Sequence, residues 1–325
     1  MFILGLQGSP RIKGNTSLLL GAFLSEAERL GSRTFHLDVA RKNISPCKEC
    51  GTCEKKGFCP IEDDMQEIYP LLRQADIIVM ATPIFFYGPT AQLKALIDRS
   101  QALWARKYVH RLTDPGRMWR HGFLLSVGAT KGKNLFEGTI FTAKYFFDAV
   151  GASFDGSLTY SQIEGSGDIK KHPTAILDAK EKARALVTPL LNRKKILFAC
   201  TENACRSQMA SALAQYHAGD TIEAESAGSK PAQEINTLME EVMREKGIDM
   251  AFRKPKSFEE TTRLGKPDLI ISMGCEDACP YFPGVANEEW DVEDPAGKSI
   301  SFMRNIRDDV EDRVGKLIET LKSSS

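Results

Sequence analysis

The sequence has no excess of charge of either sign and very little histidine. Its 325 residues include 43 Lys and Arg against 43 Asp and Glu. Proteins that bind nucleic acid or an anionic membrane surface concentrate positive charge, so this balance argues against both kinds of partner. The five histidines are scattered, without the H-x3-H or HExxH spacing of metal sites, which argues against a histidine-bound metal.

Long hydrophobic runs are also absent. No apolar run approaches the length that crosses a membrane, and the apolar residues 1–6 are too short for the hydrophobic region of a secretion signal. They lead directly into Gly8, Ser9 and Pro10, so we interpret them as a first buried strand. We therefore expect a cytoplasmic protein with no membrane contact, and 325 residues are enough for two domains with full cores.

Cysteine, by contrast, is abundant and clustered. In a chain without a secretion signal, clustering indicates metal, cluster or redox chemistry rather than a set of structural disulfides. The eight cysteines form three short groups: Cys47, Cys50, Cys53 and Cys59; Cys200 and Cys205; and Cys275 and Cys279.

The second cysteine group lies in a predicted strand, loop and helix. The apolar residues 196–199 end at Cys200, and Arg206 and Ser207 begin a stretch with apolar residues at helical spacing. Such a loop directs backbone N–H groups and the positive end of the helix dipole toward an oxyanion, to which Arg206 adds a bidentate contact. The sequence therefore predicts that Cys200 is a nucleophile toward a phosphate-like anion, with a buried core cysteine as the alternative. We call the connecting residues the anion loop: Thr201, Glu202, Asn203, Ala204 and Cys205.

The first half contains similar strand ends. Predicted strands at residues 1–6, 75–82 and 123–130 are each followed by a loop, and in a parallel sheet the carboxyl ends of strands are where ligands bind. Residues 8–16, here called the phosphate loop, are rich in Gly, Ser and Thr and form a candidate anion site. A plain turn with a helix cap uses the same residue types and is the alternative.

Three stretches resemble the flavodoxin-like NADPH-dependent FMN reductase family, and the resemblance covers roughly residues 1–190: Gly-Ser-Pro-Arg at 8–11 with Gly-Asn-Thr at 14–16, the loop 82–88 and residues 93–99. The resemblance implies an FMN cofactor, with NAD(P)H as a candidate electron donor, and a homo-oligomer formed through this domain. The FMN phosphate is then expected to contact Ser9, Arg11, Asn15 and Thr16. The isoalloxazine ring is expected beside Gly128 and the loop Pro83, Ile84, Phe85, Phe86, Tyr87 and Gly88.

Residues 47–59, here called the cysteine segment, have the spacing Cys-x2-Cys-x2-Cys-x5-Cys. Thiolates at this spacing, with Gly51 and Gly57 as turns, can reach the four corners of a cluster. The spacing resembles the iron-sulfur flavoprotein branch of the same family, which implies a 4Fe-4S cluster beside FMN and bound by Cys47, Cys50, Cys53 and Cys59. Tetrahedral zinc and a metal-free segment are the alternatives. The following residues 63–65 are predicted to start a helix.

The second half again alternates predicted strands and helices. A helix over residues 173–191 closes the first half, and only residues 192–195 separate it from the next strand. Alternation of this kind predicts parallel sheets flanked by helices. We therefore expect an α/β protein of two domains, residues 1–193 with a flavodoxin-like sheet and residues 194–325 with a second parallel sheet.

Three motifs in this half resemble the low-molecular-weight tyrosine phosphatase fold, and more narrowly its arsenate reductase branch: Cys200-x5-Arg206-Ser207, Ser-Ala-Gly at 226–228 and Asp-Pro-Ala-Gly at 294–297. The resemblance implies that Cys200 is the nucleophile and that Arg206 binds the oxyanion. It also implies that Ser207 stabilises the thiolate and that Asp294 protonates the leaving oxygen. A positioned acid is needed in either branch because an unprotonated oxygen is expelled slowly.

The third cysteine group favours the reductase branch. Reducing arsenic(V) to arsenic(III) takes two electrons, which a thiol pair supplies. By the resemblance, Cys275 attacks the Cys200–arsenic adduct and Cys279 resolves the disulfide, with a spacing shorter than in the best-known thioredoxin-coupled enzymes. A Cys200–Cys205 route, an external thiol, and a zinc-binding or structural pair stay open. Cys205 is either a protective disulfide partner or a small buried apolar residue.

The two halves together predict an arsenate reductase fused to a flavin and iron-sulfur domain that supplies its electrons. The expected substrate is arsenate or a similar oxyanion, and ferredoxin and thioredoxin are candidate partners. A phosphatase fused to an NAD(P)H-dependent FMN oxidoreductase is the first alternative. A redox or arsenical sensor is the second.

Overall fold

The computed structural model describes residues 1–262, 265–274 and 282–323. The chain divides into two compact units. The first unit comprises Met1–Arg111 and Gly116–Leu191, and the second comprises Leu112–Pro115 and Asn192–Ser325. Residues 112–115, which the sequence placed in the first domain, thus group with the second unit, where the Thr113 N–H donates to the Gly247 carbonyl at 2.6 Å.

The first unit contains a five-stranded parallel sheet in the order β2-β1-β3-β4-β5. This is the doubly wound, flavodoxin-like order, and ligands bind where the strand order reverses, here between β1 and β3. All residues of β1 are buried, as expected for a strand with helices on both faces. The strands are β1 Phe2–Gln7, β2 Arg33–Asp38, β3 Ile77–Pro83, β4 His121–Val127 and β5 Ser153–Tyr160.

Seven α-helices accompany this sheet. Leu19 and Phe23 of the first helix pack in one core with Ala183 of the last. The helix predicted over residues 173–191 is shorter in the structure and ends in a 3-10 turn at Thr188–Leu190, because Pro189 has no N–H for a helical hydrogen bond. The helices are α1 Asn15–Arg29, α2 Thr52–Lys56, α3 Met65–Gln74, α4 Ala91–Arg99, α5 Gln101–Tyr108, α6 Glu137–Ala149 and α7 Ala175–Val187.

The second unit contains a four-stranded parallel sheet in the order β7-β6-β8-β9. The sheet consists of β6 Lys194–Cys200, β7 Ile222–Gly228, β8 Leu269–Met273 and β9 Ala286–Glu289. The strand order reverses beside β6, so the anion loop that follows β6 lies at the switch point. The helices are α8 Arg206–Ala218, α9 Thr237–Glu245, α10 Phe258–Thr262 and α11 Ile300–Ser323.

Helices α8, α9 and α11 form the main core of the second unit. Met209, Met239 and Met303, one from each helix, are fully buried in the same cluster. The predicted pair of parallel α/β sheets is therefore confirmed. Within the described part of the chain, no helix combines the length and the apolar character needed to cross a membrane.

Candidate functional site

Cys200 is the last residue of β6, and its side chain is 3% exposed. The backbone N–H of Asn203 donates to Cys200 Sγ at 3.2 Å. Asn203 has a φ of +49°, in the left-handed region, which turns this N–H back toward the sulfur. The anion loop thus curves around the thiol.

The backbone carbonyls of Cys200 and of three anion-loop residues are directed to a neighbouring segment. They accept hydrogen bonds from residues 229–236, which run alongside the loop. When successive carbonyls point outward, the N–H groups between them are directed inward and form a concave site for an anion. The donor N–H groups and acceptor carbonyls are Ser229 to Cys200, Lys230 to Thr201, Ala232 to Glu202 and Asn236 to Ala204, at 3.3, 2.8, 2.9 and 2.9 Å.

Gly228, at the end of β7, lies directly against this loop. A Cβ atom at this position would be 2.6 Å from the Thr201 carbonyl oxygen and 2.8 Å from the Asn203 nitrogen. Both distances are shorter than any allowed contact, so only glycine fits without moving the loop. This explains why the sequence needs Gly at the end of the Ser-Ala-Gly motif.

Ser207, in the first turn of α8, lies beside the thiol with Ser207 Oγ 3.0 Å from Cys200 Sγ. The same oxygen accepts a hydrogen bond from Asn203 Nδ2 at 2.8 Å. Because an amide NH2 only donates, the single hydroxyl proton of Ser207 is left to donate to the sulfur. The sequence identified Ser207, but not the side chain of Asn203 that orients it.

Arg206 and Asp294 lie together at the opening of the anion loop. Arg206 Nη2 is 3.4 Å from Asp294 Oδ2, and Arg206 Nη1 donates to the Val292 carbonyl at 3.2 Å. The arginine side chain is 9% exposed and the aspartate side chain 64% exposed. The structure thus brings a largely buried cation and an accessible carboxyl group to the same opening.

The side chain of Cys205, the last residue of the anion loop, packs against the core of the second unit. Its Sγ donates to Met303 Sδ in α11 at 3.4 Å. Burial, and to a lesser extent the negative charge expected at Cys200, raise the pKa of Cys205 to about 12. This environment favours the buried apolar residue over the disulfide partner. Cys275 and Cys279 lie outside the described residues.

The phosphate loop leads from β1 into α1. Ser9 Oγ accepts the Arg11 N–H at 3.1 Å, and α1 begins after Gly14 with no side chain capping its N–H groups. Gln7 directly precedes the phosphate loop, and its buried Oε1 has no hydrogen-bond partner in the described part of the chain. A helix start without a cap fits an anion such as the FMN phosphate.

The side chain of Asn15 already binds protein groups. Asn15 Nδ2 donates to the Gly165 carbonyl at 2.8 Å, and Asn15 Oδ1 accepts the Ile169 N–H at 3.2 Å. Thr16 Oγ1 accepts from Gln7 Nε2 at 3.4 Å. Asn15 therefore holds residues 165–169 beside the phosphate loop, a contribution that the sequence did not reveal because it joins positions about 150 residues apart.

The aromatic loop after β3 is a tight two-residue turn. Phe85 and Gly88 exchange both backbone hydrogen bonds, at 2.9 and 3.0 Å, while Phe86 and Tyr87 have φ of +49° and +62°. These are the dihedrals of a type I′ turn, which is strained for residues with side chains. The turn leaves all three aromatic rings exposed, and Phe86 completely so.

Small residues lie against this turn. A Cβ on Gly132 would be 2.6 Å from the Tyr87 hydroxyl, and one on Gly138 would be 2.6 Å from the Tyr87 carbonyl oxygen. A cavity of about 310 Å³ is lined by Lys131, Gly132, Asn134, Leu135, Phe136, Glu137, Ile140 and Ser161. The structure thus places Gly128, the aromatic turn and this cavity in one region, the one predicted to hold the isoalloxazine ring.

The cysteine segment carries four free thiols. Cys47 and Cys50 are exposed, whereas Cys53 and Cys59 are half-buried. Cys50 Sγ lies 3.4 Å from Thr52 Oγ1. Across residues 1–262, 265–274 and 282–323, no three His, Cys, Asp or Glu side chains are grouped so that they could hold a metal ion. The segment as arranged here thus forms no site for a single metal ion, and the 4Fe-4S cluster stays a prediction.

A buried ion pair holds the two ends of this segment. Arg99, at the end of α4, and Asp63 are 0% and 2% exposed and are joined at 2.6 Å. Arg99 also donates to the carbonyls of Ser45 and Ile61 at 3.0 and 3.1 Å. Burial opposes the charge on Asp63, but hydrogen bonds from Arg99 and from two backbone N–H groups outweigh it and lower the pKa of Asp63. Sequence reading found only the helix start at this position.

Comparison with known proteins assigns the two halves separately. The family model of the low molecular weight phosphotyrosine protein phosphatases matches residues 195–325, and that of the NADPH-dependent FMN reductases matches residues 1–136. An iron-sulfur flavoprotein of Methanocaldococcus jannaschii is 42% identical over 103 residues, which are 32% of this chain and 53% of that protein. The chain thus spans about half the length of this relative.

The second half matches most of the length of two arsenate reductases. An arsenate reductase of Bacillus cereus is 33% identical over 132 residues, which are 40% of this chain and 97% of that protein. The solved thioredoxin-dependent arsenate reductase of Corynebacterium glutamicum is 31% identical, with 47% of this chain and 78% of that chain covered and a TM-score of 0.37. Residues 1–136 match the NADPH-dependent FMN reductase model, and the chain belongs, through its second half, to the arsenate reductase family within the low molecular weight phosphatase fold.

Proposed function

We propose that the second unit reduces arsenate to arsenite with Cys200 as the nucleophile. The observation that carries this proposal is the position of the Cys200 sulfur, which contacts Ser207 Oγ and the Asn203 N–H of the anion loop. Both contacts stabilise negative charge on sulfur, and the thiolate is the reactive form of cysteine. The same loop binds the oxyanion in reach of that sulfur.

The first step forms a bond between sulfur and arsenic. Arsenate binds the anion loop and Arg206, and the Cys200 thiolate attacks the arsenic atom. Asp294, at the opening of the site, donates a proton to the departing oxygen, which leaves as water. The exposure of Asp294 lets it recover a proton from solvent before the next turnover.

The second step transfers two electrons. A second thiolate attacks the Cys200 sulfur, the sulfur–arsenic bond breaks, and its electron pair stays on arsenic, which is thereby reduced from arsenic(V) to arsenic(III). Arsenite leaves, and a disulfide remains. We assign the attacking thiol to Cys275 and the resolving thiol to Cys279, which leaves a Cys275–Cys279 disulfide for an external dithiol such as thioredoxin to reduce.

We also propose that the first unit binds FMN and takes electrons from NAD(P)H. The uncapped start of α1 and Ser9 and Arg11 bind the phosphate, and the Phe85–Gly88 turn borders the ring. When bound, the flavin supplies two electrons, the number needed to reduce one disulfide to two thiols. Given the present arrangement of the cysteine segment, we assign no step to a 4Fe-4S cluster. Ferredoxin becomes a candidate electron donor only if iron is found in the purified protein.

Arsenite production by the purified chain tests the assignment of Cys200. With a dithiol reductant, the wild-type protein is expected to form arsenite, and Cys200→Ser to lose activity by a factor of about a thousand or more, because serine is not ionised at neutral pH. Arsenite formation by Cys200→Ser at the wild-type rate contradicts the proposal. NADPH-driven turnover without added dithiol then tests whether flavin electrons reach the disulfide.

A phosphatase is the second candidate because the described site is already complete for phosphate ester hydrolysis. Cys200, Arg206 and Asp294 supply a nucleophile, an anion contact and an acid, and hydrolysis needs no second thiol. Aryl phosphate hydrolysis that survives in the double variant Cys275→Ala, Cys279→Ala, without arsenite formation by the wild type, supports this candidate over the first.

A further inference from the structure

A chain of buried hydrogen bonds runs from residues 253–256 to the nucleophile. Gln208, in the first turn of α8, is 1% exposed, and its Oε1 accepts from Arg253 Nε at 2.9 Å. Gln208 Nε2 donates to Asn203 Oδ1 at 3.1 Å and to the Lys254 carbonyl at 3.0 Å. Asn203 then donates to Ser207, which contacts the Cys200 sulfur.

The donor-to-acceptor direction of these hydrogen bonds is fixed at residues 253–256, the end farthest from Cys200. An arginine side chain only donates and a backbone carbonyl only accepts, so Arg253 and the Lys254 carbonyl allow a single orientation of the Gln208 amide. That orientation directs the Gln208 NH2 group to Asn203 Oδ1, which also accepts the Lys256 N–H at 2.8 Å. Asn203 is then left with its own NH2 group facing Ser207.

We propose that Gln208 is a positioning residue for Cys200. Together with the Lys256 N–H, its NH2 group holds Asn203 Oδ1 in place, and Asn203 obliges Ser207 to give its only proton to the Cys200 sulfur. Ser207 and Asn203 are both 0% exposed, so water does not replace a missing link. Gln208 itself touches neither the thiol nor the anion loop opening. The inference rests on Cys200 being the nucleophile of the proposed function.

The test is the rate at which iodoacetamide alkylates Cys200, followed on the Cys200 peptide by mass spectrometry. Gln208→Met keeps the size of the side chain but removes its donor and acceptor. We expect alkylation at pH 7 to be about five-fold slower than in the wild type, the effect of one lost hydrogen bond to the ionised sulfur. Gln208→Glu, which keeps the acceptor for Arg253 but cannot donate, is expected to be slowed at least as much.

The pH profile separates positioning from general disruption. A hydrogen bond to the sulfur favours its ionised form, so the difference between the rates of wild type and Gln208→Met should depend on pH and become smaller at alkaline pH. The charged residues in and beside the loop are unchanged in this variant: Glu202, Arg206, Lys230, Arg253, Lys254, Lys256 and Asp294. Equal slowing at every pH, or a wild-type rate at pH 7 in a variant with unchanged melting temperature, overturns the proposal.

Gln215→Glu is the matched control, because it makes the same chemical change two turns further along α8. It is expected to alkylate at the wild-type rate. Alkylation needs no arsenate, so this test and the test of function fail separately. Normal arsenite formation with unaltered alkylation of Gln208→Met removes only the positioning role, whereas slowed alkylation in a protein that forms no arsenite removes only the reductase.

Discussion

Two cysteines five positions apart in the chain have opposite environments. Cys200 contacts two hydrogen-bond donors at the anion loop, whereas Cys205 contacts Met303 in the core. Burial raises the pKa of Cys205 to about 12, which disfavours the thiolate, the reactive form of cysteine, at neutral pH. The reactivity of a cysteine in this motif thus depends on whether its sulfur contacts hydrogen-bond donors of the anion loop or the apolar core.

Replacing Cys205 is therefore expected to change stability more than activity. Cys205→Ala should keep arsenite formation within about two-fold of the wild type and lower the free energy of unfolding by about 1 kcal/mol, because it removes one buried sulfur. Steady-state turnover and urea unfolding measure the two effects. A loss of turnover as large as in Cys200→Ser would show that Cys205 belongs to the thiol relay.

Gly228 is the residue at which a single methyl group should disrupt the anion loop. In Gly228→Ala the new Cβ overlaps the Thr201 carbonyl and the Asn203 nitrogen, so the loop must move. A displacement near 1 Å at reacting groups costs about a hundredfold in rate, which we expect in kcat/KM for arsenate.

The control for this change is Gly315→Ala, in the interior of α11. A Cβ there meets no atom within 4 Å, so the substitution should leave turnover unchanged and stabilise the unit by about 0.5 to 1 kcal/mol. Unaltered kcat/KM in Gly228→Ala would mean that the loop tolerates displacement and that its geometry does not limit the reaction.

At the level of elements, α1 and α7 are joined by a charged contact as well as by their apolar faces. Glu26 Oε1 accepts from Arg29 Nη2 at 2.6 Å and from Arg184 Nε of α7 at 2.7 Å. The hydrogen bonds from Arg29 and then Arg184 lower the pKa of Glu26 from its ordinary value of 4.5 to about 2. A carboxyl group whose pKa falls on folding stabilises the folded state only while it is ionised.

This contact predicts how the stability of the first unit depends on pH. The contribution of Glu26 is complete above about pH 4.5 and is lost as the pH falls toward 2. Glu26→Gln should therefore lower the urea midpoint at pH 7, and its difference from the wild type should shrink at pH 2.5. Glu181→Gln, an exposed change on α7, removes the same charge and should show little difference at either pH.

Elements with a strong apolar pattern were predictable, and the exposed ones were not. The runs that became β1, β3, β4, β6 and β8 are continuous and apolar, which identifies buried parallel strands. The four residues of β9, Ala286–Glu289, are all exposed and carry no apolar alternation, so nothing in the sequence indicated an edge strand. Pro189 indicated that a helix ends near this position, but α7 already ends at Val187.

For the whole molecule, the sequence was most informative where chemistry depends on neighbours in the chain. Cys200, Arg206 and Ser207 are close in sequence and in space, so their grouping could be predicted from one motif. Contacts such as Asn15 to Gly165 and Arg99 to Asp63 join positions far apart in the sequence. The periodicity of apolar residues within one sequence does not predict such contacts. Metal binding by the cysteine segment was predicted from spacing, which carries no information on how the side chains are oriented.

The Arg99–Asp63 pair also determines what a cut in the chain would do. Both ends of the cysteine segment are attached to Arg99, through the Ser45 carbonyl on one side and the Ile61 carbonyl and Asp63 on the other. A protease that cleaves between these attachments separates the polypeptide into two pieces without freeing either end from the folded unit. The first unit should therefore tolerate circular permutation or peptide insertion at this point, with its sheet order unchanged.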